Sequence, residues 1–439
     1  MVWCLAAWSF TTSLAVVRSA GQTEDMQHDD HSAMSPGPTK ETGQSPEEAE
    51  EGSFIQQVQQ HTIAGTDAQP NSSPSQMLMV QRGRWRLMLH GQAFLNEMQQ
   101  TGPRGGDKLF STNWIMPMAQ RRFGNGSLTL RTMFSLEPAT VSQRRYPELF
   151  QQGETAFGHA LVDGQHPHDF IMEIAALYDY RLTEDVLLSF YAGAVGDPAM
   201  GPAAYPHRES ASEDPIAPLG HHLQDSTHIA DDVITAGVTF RKLRVEASGF
   251  HGHEPDENRW NIDSGGIDSW SARLTVNAAR NWSAQYSIAR LHSPEAIAAS
   301  DDLRRMTASV SYNRPLRNGN WASTLLWGRN QSLTNHEVGN SYLAESTVRF
   351  LERNYAWVRI ENVDRTNELL QTEGSVLERY FARVQAYTGG YDRDIGHVSH
   401  LTLALGGQMT WYGVPDTLQP QYGAHPFGGL LFLRIRTQE

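Results

Sequence analysis

The chain has almost no cysteine, no long hydrophobic run beyond its first residues, and too little positive charge to suggest a nucleic-acid partner. One cysteine, Cys4, stands among 439 residues. It lies in a stretch expected to be removed, too early for a lipoprotein cleavage site, so the mature chain is expected to have neither disulfides nor thiolate metal centres. Lys and Arg number 35 against 49 Asp and Glu, a net charge of -14 that favours cations near the protein. Only 39% of residues are hydrophobic, and the mean hydropathy is -0.48. The one apolar stretch, Met1 to Val17, leads into Arg18, Ser19 and Ala20. Those small residues suggest signal cleavage near Gly21, although no Lys or Arg precedes the apolar run. With residues 1–20 read as a signal peptide, the mature chain contains no spanning helix.

What remains is rhythm. Short segments that alternate apolar and polar residues recur along the chain, joined by connections that are alternately tight and long. After the turn at Gly124, Asn125 and Gly126, Leu128, Leu130, Phe134 and Leu136 share one face with Thr132, while Ser127, Thr129, Arg131, Ser135 and Glu137 share the other with Met133. A period of two with one face for lipid and one for water is the pattern of a transmembrane β-barrel. The same reading places strands near 84–98, 108–118, 127–137, 168–181, 185–195, 232–241, 243–253, 267–277, 281–292, 304–313, 320–330, 341–351, 354–363, 377–388, 397–409 and 427–436. Tight connections are expected at Phe123–Gly126, Leu182–Glu184, Lys242, Ala278–Arg280, Pro315–Gly319, Glu352–Arg353 and Gly389–Gly396, and the longest loops at 138–167 and 196–231. Trp85, Tyr178, Tyr180, Trp282, Tyr312, Trp321 and Trp411 fall near strand ends, where interfacial girdles sit. The expectation is an all-β, antiparallel outer-membrane barrel of about 16 strands over residues 81–439, with both chain ends in the periplasm.

Residues 21–80 read as a disordered periplasmic arm rich in Glu, Gln, Ser, Pro, Asp and Thr, with one apolar stretch, Phe54 to Ile63, that suits a short helix. In the arm, Met26, His28, Asp29, Asp30, His31 and Met34 form a compact run. Imidazole binds Cu(II) or Zn(II) and thioether selects Cu(I), so the run is a candidate for metal capture. A solvated polar tail is the plainer reading.

Nine of the 18 histidines lie between His159 and His253. His166, His168 and Asp169 open one strand; His221, His222, Asp225 and His228 lie in the longest loop; His251, His253 and Glu254 end another strand. These groups belong to neighbouring hairpins, and a His and carboxylate site for a divalent transition metal is chemically reasonable. The competing expectation is a hydrogen-bonded loop network that folds inward and constricts the pore.

The stretches SGFHGHEPDENRWNID (248–263), GDKLFSTNWIMPMAQRRFG (106–124), SLEPATVSQRRYPELFQQGETAFG (135–158) and DGQHPHDFIMEIAALYDY (163–180) resemble those of a largely uncharacterised family of bacterial outer-membrane β-barrel proteins. That resemblance implies the barrel and carries no site residues with it. Separately, the Met/His arm ahead of a barrel is similar in layout to outer-membrane copper-resistance proteins.

The function expected is a porin-like channel for small polar solutes or ions, linked through its arm and histidines to copper or zinc. Arg84, Arg86, Arg131, Arg273, Arg305, Arg359, Arg379 and Arg383, facing Asp169, Glu173, Glu246 and Glu361, are the expected pore-lining residues, setting up a transverse field or bracing the wall by pairing. The alternative is a non-conducting metal-binding barrel. Catalysis is disfavoured: Asp225, Ser226 and His228 are the right types for a hydrolase, but a triad is recognised by convergence in space and not by proximity in sequence.

Overall fold

The computed structural model describes residues 53–298, 300–370 and 379–438. The signal peptide, Cys4 and the Met26–Met34 run lie outside the described residues. The main sheet has 17 strands, 16 of which close into a ring, each antiparallel to the next. The ring runs Trp85–Gln100, Asp107–Phe123, Gly126–Phe134, Ile171–Thr183, Val186–Gly196, Ala230–Phe240, Leu243–His251, Ser269–Ala279, Trp282–Leu291, Leu303–Leu316, Gly319–Ser332, Val338–Phe350, Asn354–Thr366, Tyr380–Val398, Leu401–Gly413 and Phe427–Thr437. The last strand pairs back onto the first, from Gln92 opposite Arg436 to Gln100 opposite Gly428, and this closure removes the sheet edge. A short leading strand, Leu78–Arg82, forms a hairpin with the start of Trp85–Gln100 and covers the part of that strand that the last one does not reach.

The period of two decides which face points where. In Ser269–Ala279, Trp270 and Leu274 are exposed outward while Ser269, Ser271, Arg273, Thr275 and Asn277 are buried inward. Near the tight turns Tyr312 packs tilted against Trp282 and edge to face with Trp321, with ring centroids 4.6 and 5.3 Å apart, as an interfacial girdle would. Strand number and order match the sequence expectation, with one local correction. The connection expected at Gly389–Gly396 is continuous strand, and the tight turn falls at Ser399–His400 instead. Gly390 read as a turn residue because of its neighbours, but its place in the sheet lets the Trp357 ring lie against the backbone, where any Cβ would collide with it.

Two segments fill the lumen. From residue 53 the chain is folded, in contrast to the disordered arm expected up to residue 80. Ser53 caps helix α1, Phe54–Gln60, through a capping box with Gln56. Phe54, Ile55 and Val58 pack onto inward-facing Leu187. Beyond α1 the chain crosses the tight-turn end of the barrel. Ser72 exchanges hydrogen bonds with Asn313, and its N–H donates to the Arg280 carbonyl. At Gly65 (φ 59°) the backbone presses against Asp197, leaving no room for a Cβ. The second segment is the long loop between Val186–Gly196 and Ala230–Phe240. It touches wall residues as far apart around the ring as Gln92, Thr112, Ser287, Glu345 and Arg436, so it must cross the interior.

Arg131 ties the first segment to the wall. It is 1% exposed, donates to both Glu173 oxygens, and also donates to the carbonyls of Ile63 and Gly65. Removing one partner of a buried pair strands the other charge, so Arg131→Ala is expected to cost about 3–5 kcal/mol in denaturant unfolding of the refolded barrel. It should also open residues 61–77 to protease while the barrel stays closed; an unchanged digestion pattern would contradict this placement.

Candidate functional site

The site is the filled lumen, and its recurring unit is a guanidinium that bonds at once to a wall carboxylate and to an inserted segment. Arg273 pairs with Glu246 at 3.0 Å and reaches Asp67, Thr66 and the Gly201 carbonyl, which belong to both segments. Arg359 pairs with Glu361 at 3.1 Å on its own strand and with Asp214 at 2.9 Å, and donates to the carbonyls of Ile216 and Ala217. The arrangement is reversed at Arg208 of the loop, which spans the loop's own Asp225 at 3.0 Å and wall Glu345 at 2.5 Å. Arg434 and Arg436 both reach Glu213 of the loop, and Arg436 also bonds to the Tyr355 hydroxyl. Low local dielectric makes such pairs stiff when complete and costly when broken.

Of the expected pore-lining residues, Arg131, Asp169, Glu173, Glu246, Arg273, Arg305, Arg359 and Glu361 are buried. Arg305 bonds Asn330 at 2.9 Å and Ser226 at 2.8 Å, and Asp169 meets Arg259 at 3.5 Å. Arg84, Arg86, Arg379 and Arg383 are exposed. Arg84 lies in the leading hairpin turn and Arg86 at the tight-turn rim. Arg379 precedes its strand, and Arg383 shares the outward parity of Tyr387, pairing with Asp364 and lying over the Tyr342 ring. Arg131, Arg273 and Arg359 pair with near carboxylates and hold the inserts, whereas Arg305 bonds to Asn330 and Ser226. Sequence reasoning missed Arg434 and Arg436, though their alternation with Leu433 and Ile435 carried the signal. Arg208 and Glu213 lie in a loop without periodicity, where no such signal exists.

The histidine groups meet in part. His168, His228, His221, His222 and His166 form a row with successive ring centroids 5.5, 5.3, 5.2 and 6.3 Å apart. Three of the Nδ1 atoms have hydrogen-bond partners along it: His168 with Glu137 at 3.0 Å, His221 with the Asp225 carboxylate at 2.7 Å, and His228 with the Asp225 carbonyl at 2.7 Å. His251 and His253 sit apart at the long-loop end, His251 against Asp268 at 2.8 Å. Among the described residues, no group of three or more His, Asp and Glu is placed to hold one metal ion.

Burial opposes charge on Asp225, but the hydrogen bond from His221 and the Arg208 guanidinium outweigh it and hold the carboxyl below its usual range. Burial pushes His228 down to about 3, helped by His221 and His168. Catalytic types are not assembled here: Ser226 accepts from Arg305, and the Asp225 carboxylate is used by His221, Arg208 and the Tyr205 N–H.

This is the fold of the outer-membrane porins. An anion-selective porin from Comamonas acidovorans superimposes with a TM-score of 0.54 at 11% identity, over 80% of this chain and 99% of that one. OmpF of Salmonella typhi, in a complex with daunomycin, superimposes with a TM-score of 0.50 at 8% identity, over 82% of this chain and all of that one. No family model and no curated protein matches the sequence.

The buried row sets a pH dependence. Between about 6.5 and about 3 the unfolded His228 binds a proton that the folded one refuses, so stability rises with pH across that window and falls on acidification. Stability of the refolded barrel measured from pH 3 to 7 should therefore fall toward acid, and His228→Gln should flatten the profile. An equally steep profile in the variant would contradict the assignment.

Proposed function

We propose that the protein is an outer-membrane channel for small polar solutes or ions whose resting state is closed by its own chain. The observation that carries this reading is the joining of a porin-type ring to two inserts, the 53–77 segment and the 197–229 loop. Side-chain clamps hold both inserts in the lumen, and neither forms part of the closed ring. Polar clamps are reversible in a way that strand pairing is not, and a wall of this strand number encloses an aqueous passage once emptied. In this reading the tight turns and both barrel termini face the periplasm, which is the usual orientation of bacterial barrels, so the 53–77 segment enters from that side.

A second reading, a non-conducting barrel that binds metal, is favoured by the side-chain clamps that fix both inserts across the lumen. Single-channel recording in planar bilayers separates the two. The channel reading expects rare, small openings from the full chain and stable, several-fold larger steps after deletion of residues 53–77. No conductance from either protein would contradict it.

A further inference from the structure

The hydrophobic clusters of this protein differ in composition. The cluster around Phe150 is built from Leu, Val, Phe and Tyr, with no methionine. The cluster on the lumen wall near α1 contains Met77, Met88, Met116, Met118, Met133 and Met172, six of the 14 methionines in the chain. All six are 5% exposed or less. Four of them, Met88, Met116, Met118 and Met133, occupy inward positions of three consecutive strands, where a porin interior is ordinarily polar.

Against this patch stand two histidines. His207 of the loop places Nε2 3.2 Å from the Met133 sulfur. Its ring lies 4.3 Å from Trp114 and 6.2 Å from the ring of His90, which itself stands 4.6 Å from Trp114. The Nδ1 atoms of both His90 and His207 are buried with no hydrogen-bond partner among the described residues. A buried imidazole nitrogen without a partner costs about 1–3 kcal/mol, and an ion beside Met133 bound by His207 through Nε2 would answer the unpartnered nitrogen of His90, the Nδ1 of His207 then carrying the proton.

We propose that this patch is a binding site for a soft monovalent metal ion, Cu(I), with the Met133 sulfur and His207 as its core ligands and His90 and the adjoining thioethers completing it. Neutral sulfur and imidazole donors select Cu(I) over harder ions. A nitrogen and a sulfur that each lie about 2.0–2.3 Å from one ion fall roughly 3–4 Å from each other, and His207 and Met133 already have that spacing. A cavity of about 60 Å³ borders Met77, His90, Trp114 and His207 on one side and residues of the 57–76 segment on the other, enough space for an ion arriving from the tight-turn end. The site gives the metal-binding reading a definite location, and it stands whether or not the barrel conducts.

The test is Cu(I) binding by the refolded full chain, measured by competition with a Cu(I)-specific chelator. The background variant M26L/H28A/H31A/M34L removes the Met and His ligands of the arm. The expected result is about one equivalent of Cu(I) retained in that background, with sulfur scatterers in the copper X-ray absorption spectrum. Affinity should fall at least about tenfold when Met133→Leu or His207→Gln is added. Met→Leu keeps side-chain volume, and heat-modifiable migration in electrophoresis verifies that each barrel is folded. In the unsubstituted chain, Cu(I) should also quench a fluorescence component that Trp114→Phe removes. Failure of the background variant to bind Cu(I), or unchanged affinity in both added variants, would overturn the proposal. Because the readouts are equilibrium binding and spectroscopy, a silent bilayer recording leaves their meaning intact.

Discussion

The structure depends on buried guanidinium groups that bond in two directions. Each clamp satisfies a wall carboxylate and, with its remaining donors, the carbonyls or carboxylates of a segment that crosses the lumen. Arg has five donors in a fixed fork, which is why one residue can serve both partners at once. Without the inserts, Arg131, Arg273 and Arg359 would each keep a wall carboxylate but lose the backbone carbonyls that complete their bonding. Without the arginines, the carbonyls of Ile63, Gly65, Ile216 and Ala217 would lose their donors. Wall and inserts therefore satisfy each other's hydrogen bonds, and the packing of both inserts inside the ring follows from that reciprocity.

The two inserts bring different chemistry to the lumen. The 197–229 loop carries its own ion pairs and three histidines of the row, of which His221 and His228 bond to Asp225 through Nδ1, so that region behaves as a hydrogen-bonded strut whose protonation weakens it in acid. The 53–77 segment meets a wall patch rich in thioethers, with imidazole nitrogens left over.

Much of the wall was legible in the sequence because lipid imposes a period of two on every strand. Ser127, Thr129 and Arg131 alternate with Leu128 and Leu130, and no tertiary information is needed to orient them. Glycine misled at residues 389–396, which are continuous strand, and at Gly390 close packing of Trp357, and not a turn, calls for the absence of a side chain. The inserts were less legible. The apolar positions Phe54, Ile55 and Val58 hinted at a helix, but nothing local to them indicated that Leu187 of the wall would receive them. Likewise Met133 looked like an irregularity on a polar face. Its meaning came only from Met116, Met118 and Met172, which the sheet brings beside it from the two neighbouring strands.

The most direct measurement of the central claim is thiol accessibility of the inserts in the folded barrel. Ala64 and Ala217, 2% and 0% exposed, lie within the two crossing segments. In a Cys4→Ser background, which leaves no other thiol, Ala64→Cys and Ala217→Cys can be challenged with a membrane-impermeant maleimide. The account expects both to resist labelling until the barrel is denatured, because both segments are packed inside it. Rapid labelling of both positions in the folded protein would mean that the inserts stand in water, and would contradict a lumen closed by its own chain.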